Sequence, residues 1–118
     1  MHELITIPFS HYCEKARWAL DLEGVSYRER RYLPGLHVRP ARRAAKGRGR
    51  ADAHSSAAST PILVMDGEPI CGSSAIVRRV APALFAGDEV EALVRDFDAA
   101  LGPHTRRIAY WFVRGRAA

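Results

Sequence analysis

The chain has 118 residues, is 47% hydrophobic and 26% charged, and carries a formal net charge of +5. Those values suit one small globular unit and exclude a disordered composition, and no apolar run reaches the roughly 18 residues of a membrane-spanning helix. The opening MHELITIPFSHYCEK lacks a basic stretch followed by an apolar one, and two cysteines, Cys13 and Cys71, make no disulfide scaffold, so a reduced, cytoplasmic protein without a membrane segment is expected.

Leu4 to Pro8 is short, apolar and β-branched and reads as a buried strand. Ser10 is a good N-cap for a helix over His11–Glu23, which ends at Gly24, a good residue to follow a helix C-terminus. Tyr12, Ala16, Ala19 and Leu20 share one face of that helix, and Trp18 and Leu22 form a second apolar patch. Val25 to Leu33 reads as a second strand, parallel to the first through a right-handed crossover. From Pro34 to Thr60 the pattern weakens. An arginine-rich helix is expected near Pro40–Lys46, within a stretch, 36–59, read mainly as loop. Pro61–Met65 is a buried strand, Asp66-Gly67 a hairpin turn and Glu68–Cys71 its antiparallel partner. A short helix from Ser73 to Ala81 points Ile76, Val77 and Val80 inward and stops at Pro82. Asp88–Leu101 reads as a longer helix with an Asp88/Glu91 capping box and an apolar stripe of Val90, Leu93, Val94, Phe97 and Leu101; Gly102-Pro103 is expected to break it. His104–Val113 reads as a last helix, strongly apolar near its end.

The order βαβ, connection, ββα implies an α/β thioredoxin-like unit with a four-stranded mixed sheet over 1–85, followed by two helices over 88–118. Six basic residues crowd into Arg39–Arg50, with two lysines, Lys15 and Lys46, in the whole chain. A single basic run of this kind reads as a solvated face, and no nucleic-acid partner is expected.

Three places carry chemistry. Ser10-His11-Tyr12-Cys13 lies between a strand end and a helix start, where unpaired N–H groups and the helix dipole favour an anion such as a thiolate. Thr60-Pro61 opens a strand; a cis bond there would turn the Thr60 backbone toward an extended ligand. Gly72-Ser73-Ser74-Ala75-Ile76 opens another helix, whose amides and hydroxyls can hold a carboxylate. Each has a plainer reading: Ser10 and Ser73 as caps, Cys13 as a buried thiol, Thr60-Pro61 as an ordinary turn. Cys71 reads as packing, no C-x-x-C redox pair exists, and no metal site is expected.

FSHYCEKARWALDLEGVSY followed by STPILVMDGEPICGSSAIVRRV resembles the N-terminal domain of the glutathione S-transferase superfamily over about residues 3–85, and EVEALVRDFDAALGPHTRRIAYWFV is similar to the opening of that family's helical domain. The first motif also resembles the glutaredoxin site with Ser10 in place of its leading cysteine. The resemblance implies glutathione as co-substrate. Ser10 matches the family's residue facing the glutathione sulfur, and Cys13 the second cysteine of the redox relatives. Thr60 and Pro61 match the cis-proline site for the cysteinyl backbone. Ser73, with Ser74 beside it, matches the serine that takes the γ-glutamyl carboxylate. Two departures stand out: Gly72 replaces the acidic residue before that serine, and His11 stands where proline is common. With the chain ending at Ala118, the helical domain is expected to be truncated, the electrophile pocket incomplete and transfer activity weak. The alternatives are a thiol–disulfide oxidoreductase using Cys13, or a non-catalytic interaction module. Exposed Ile108, Trp111 and Phe112, flanked by Tyr110 and Val113, would then drive self-association into a homo-oligomer.

Overall fold

The computed structural model describes residues 1–49 and 56–115, with the backbone alone at 113 and 114. Its order is β1 (His2–Thr6), α1 (His11–Leu22), β2 (Tyr27–Arg31), α2 (Val38–Ala45), β3 (Ile62–Met65), β4 (Glu68–Cys71), α3 (Ser73–Val80), α4 (Asp88–Asp96) and α5 (Gly102–Arg114). The chain divides into two compact units, Met1–Leu84 and Phe85–Ala118.

The first unit is the four-stranded mixed sheet expected of a thioredoxin-like α/β fold. Strand order is β2-β1-β3-β4, with β1 parallel to β2 and antiparallel to β3, and β3 antiparallel to β4. Alternation along β1 sorts the core into two faces. Leu4 packs with Ala16 and Leu20 of α1, Leu63 of β3 and Ile76 of α3. Ile5 points the other way, to Ala41 and Ala45 of α2 with Ile62 and Cys71. The two buried alanines let α2 approach the sheet closely. β2, with sequence YRERR, is an edge strand and is mostly polar. Pro69 sits in β4, the other edge, where a missing N–H is tolerated.

Local chemistry sets the element ends. After α1, Gly24 adopts φ +64°. Its N–H donates to the Asp21 carbonyl at 3.2 Å while the N–H of Val25 donates to the Leu20 carbonyl at 2.9 Å. That pair of bonds is a Schellman closure, and the positive φ is why glycine stands there. In the hairpin, Asp66 and Gly67 both have positive φ, 51° and 82°, as a two-residue primed turn demands.

Two expectations are corrected, and a third is sharpened. The arginine-rich helix expected near Pro40–Lys46 is α2, which begins two residues before Pro40; the proline occupies the first turn, where a missing N–H costs nothing. The rest of the stretch 36–59 partly lies outside the described residues. Asp88 does not form a capping box. It is the first helical residue of α4, the N-cap is Gly87 at φ 111°, and no side chain caps the helix. Nor does Gly102-Pro103 break the helix. Residues Phe97–Leu101 widen into a π turn, and the N–H of Gly102 donates to the carbonyl of Phe97. The wider turn accommodates a proline that cannot donate, so α5 follows without an intervening loop. The expected stripe remains largely exposed at Val90 and Leu93 of α4 and at Phe97 and Leu101 of the π turn, as do Ile108, Trp111 and Phe112 on α5. Trp111 and Phe112 stack edge to face at 5.1 Å. The side chain of Val113 lies outside the described residues. No described helix is long and apolar enough to cross a membrane.

Candidate functional site

The corner after β1 is built by a cap. Ser10 has extended backbone angles, and its hydroxyl oxygen accepts the N–H of Cys13 at 3.3 Å, so the side chain closes the first turn of α1. A hydroxyl both donates and accepts, so the Ser10 proton remains available to a ligand at the positive end of α1. Just before it, Phe9 has φ 59° and is fully exposed. A bulky residue in the left-handed region is uncommon and marks a place worth functional scrutiny.

From Ser10 the site continues through short contacts. The Cys13 sulfhydryl donates to the Thr60 hydroxyl at 3.7 Å. The Thr60–Pro61 peptide bond is cis. The carbonyl of Pro61 accepts the N–H of Gly72 at 3.0 Å, which is the N-cap residue of α3. Ser73 follows, buried, at the first position of α3, and no side chain caps that helix. A chain of contacts thus links the α1 start, the prolyl corner and the α3 start. Lys15 adds a brace, its ammonium donating to the Ser74 hydroxyl at 2.8 Å. Ser74 is therefore engaged within the protein. Gly72 has φ 93° and ψ 146°, a conformation close to one that only glycine adopts freely. A carboxylate side chain at this position would carry that backbone cost.

Cys13 is fully buried, unlike the accessible thiolate that disulfide exchange requires. Cys71 is buried as packing, and burial pushes its thiol pKa up. His11 is exposed and stacks on Tyr12 at 4.0 Å. Among the described residues no group of three or more His, Cys, Asp or Glu is placed to hold a metal.

On the same helix as Ser10 and Cys13, an ion network that sequence reasoning missed joins α1 to the sheet. Glu29 of β2 accepts on one oxygen from Thr6 at 2.6 Å and from Arg17 Nε at 2.8 Å, and on the other from Arg31 at 3.0 Å. Arg17 also pairs with Glu14. Thr6 is fully buried and Arg17 is 9% exposed. Burial alone would raise the Glu29 carboxyl, but the bonds from Arg31, Arg17 and Thr6 more than offset it and hold the pKa at about 2. Burial lowers Arg17 as well, and Glu29 with Glu14 outweighs that to leave its pKa raised. The network ties the second turn of α1 to the end of β1 and the middle of β2. A charged residue beside Ala16, on a face that otherwise packs, is the sequence signal for Arg17. Phe9 carries no signal beyond a bulky aromatic squeezed between Pro8 and a cap.

Comparison with known proteins then identifies the architecture. Residues 4–85 match the family model described as glutathione S-transferase, N-terminal domain. That is more than half of the chain, and the chain belongs to this family. Among solved structures it is similar to the Tau class glutathione S-transferase of mango, Mangifera indica, with a TM-score of 0.67 and 20% identity over 92% of this chain and 50% of that one. The chain thus spans about half the length of that relative, and the likeness speaks for the fold. No curated protein matches the sequence.

Proposed function

We propose that this protein binds glutathione and activates its thiol for transfer to an electrophile. In this reading the Ser10 hydroxyl donates to the glutathione sulfur and stabilises it as thiolate at the α1 N-terminus. Thr60 and Pro61 meet the cysteinyl backbone, and Ser73 with the α3 N-terminus takes the γ-glutamyl carboxylate. Ser74 acts beside it as the Lys15 brace. The observation that carries the reading is the run of contacts from Ser10 through Cys13, Thr60, Pro61 and Gly72 to Ser73. The burial of Cys13 favours glutathione, rather than a protein cysteine, as the source of the reacting sulfur. With glycine at 72, no carboxylate side chain precedes Ser73 to pair with the γ-glutamyl ammonium.

Calorimetric titration tests this. Reduced glutathione is expected to saturate the protein at or below about 1 mM. Ser73→Ala is expected to weaken binding about tenfold, the value of one hydrogen bond to a charged group. Absence of binding at that concentration, or full affinity in the variant, contradicts the reading. A cytoplasmic location accompanies it, where glutathione is available. So does self-association through the apolar face of α5, where Trp111 is 67% exposed beside Ile108 and Phe112. Sedimentation is expected to show an oligomer at micromolar concentration that Trp111→Glu disperses; a monomer throughout sinks that part.

A further inference from the structure

The sheet face that carries α2 holds a half-open groove of about 620 Å³, a volume in the range of small-molecule sites. It shares no residue with Ser10, Thr60, Pro61 or Ser73. Ile5, Pro40, Ala44 and Val64 form its apolar wall, with Tyr32 at one side. Four cations line the same space, Arg30, Arg39, Arg43 and Lys46, against one carboxylate, Glu3. Arg30 donates to Glu3 at 3.0 Å. Lys46 donates to the carbonyl of Gly67 at 2.7 Å, which leaves the ammonium charge uncompensated. Among the described residues Arg39 and Arg43 have neither a hydrogen bond nor an ion pair.

These charges work against the fold that displays them. Arg39 and Arg43 are four residues apart on α2, a like-charge pair that destabilises a helix. Arg39 lies in the first turn, which has no acidic residue and where the helix dipole repels a cation. Arg39 and Arg43 stand one turn apart, roughly 6 Å along the helix side at 1.5 Å per residue, and Lys46 follows just past the helix end as its C-cap residue. A linear anion of several charges fits these three cations and relieves the repulsion. Guanidinium forks suit phosphoryl oxygens in particular. The apolar wall and the Tyr32 ring beside the cations suit a planar, weakly polar body attached to that anion.

We infer that this groove binds a nucleoside polyphosphate, its phosphates along Arg39, Arg43 and Lys46 and its base against Tyr32 and the wall of Ile5, Pro40 and Val64. The inference stands apart from the glutathione site and does not depend on it.

Calorimetric titration of the full chain with ATP, sodium tripolyphosphate and adenosine, in metal-free buffer at low salt, tests it. ATP is expected to bind about tenfold more tightly than tripolyphosphate, with no measurable binding of adenosine alone. Affinity for ATP is expected to fall about tenfold or more from roughly 20 to 200 mM salt, because exposed charges are screened. The double variant Arg39→Gln/Arg43→Gln is expected to lose at least about tenfold in affinity, while Arg42→Gln, on the same helix but outside the groove, stays within about twofold. The circular dichroism of both variants reports that α2 survives. The salt series on the unmodified chain tests the inference even where the double variant does not fold. No ATP binding at low millimolar concentration overturns it. So does tripolyphosphate binding as tightly as ATP, or undiminished binding in a folded double variant. A single-stranded oligonucleotide that displaces ATP far better than its phosphate count predicts also overturns it, in favour of a nucleic-acid surface.

Discussion

Ser10→Ala is expected to raise the pH midpoint for ionising bound glutathione by about one to two pH units and to slow its addition to an electrophile ten- to hundredfold near neutral pH. The magnitude follows from the lost interaction. A hydrogen bond to a charged group contributes about 1.5–3 kcal/mol, and each 1.4 kcal/mol is tenfold. The thiolate absorbance of the complex, followed against pH, reads the first effect, and single-turnover rates read the second. A complication is that the same hydroxyl oxygen caps α1 by accepting the Cys13 N–H. Losing that cap costs about 1 kcal/mol of stability by itself. Ser10→Asp separates the two roles. It keeps a capping oxygen and a favourable charge at the helix start, so folding stability is retained. It also places a negative charge against the thiolate, so the midpoint is expected to rise at least as far as in Ser10→Ala. A Ser10→Ala protein that binds glutathione with an unchanged thiol midpoint contradicts the assignment.

Glu29→Gln is expected to destabilise the fold by about 3 kcal/mol at neutral pH, in keeping with a buried pair stripped of one partner. Arg17 would keep Glu14 but lose the two bonds it makes to Glu29, at 2.8 Å from Nε and 2.7 Å from Nη2. The pH dependence gives an independent check. The carboxyl falls from its usual 4.5 to about 2 on folding. A depressed carboxylate pKa means that the unfolded chain binds the proton more readily. The stabilisation is therefore fully present above about pH 4.5 and disappears as the pH falls through about 2. Urea denaturation at a series of pH values is expected to show the difference between wild type and Glu29→Gln constant above that window and shrinking within it. A difference that does not change with pH would show that Glu29 contributes by shape alone. Because the network anchors α1 to both strands, the variant is also expected to weaken glutathione binding although Glu29 lies outside the proposed contacts.

What the chain reveals unaided divides by the range of the interaction. The Ser10 cap, the closure at Gly24 and the Asp66-Gly67 turn depend on neighbours within a few residues, and all three are written in the local pattern. The alternation of Leu4 and Ile5 between the two core faces is equally local. The Thr6–Glu29 and Arg17–Glu29 bonds join residues 23 and 12 apart, and no spacing rule announces them. The Asp88/Glu91 pattern misled because Gly87, with its positive φ, takes the cap position one residue earlier. Gly102-Pro103 misled because a π turn absorbs the missing donor. At the candidate site, the residue types at each corner were legible, and the Pro61–Gly72 bond extends the hairpin register that the Asp66-Gly67 turn sets, whereas the Cys13–Thr60 bond joins residues 47 apart and emerges only from the fold.

The most direct examination of the account is amide chemical-shift mapping of the isotope-labelled chain titrated with reduced glutathione. The account predicts saturable shifts that cluster at Ser10 to Cys13, Thr60 and Ser73, with one common dissociation constant. Shifts confined to any one of those corners, or found only elsewhere on the surface, would contradict it.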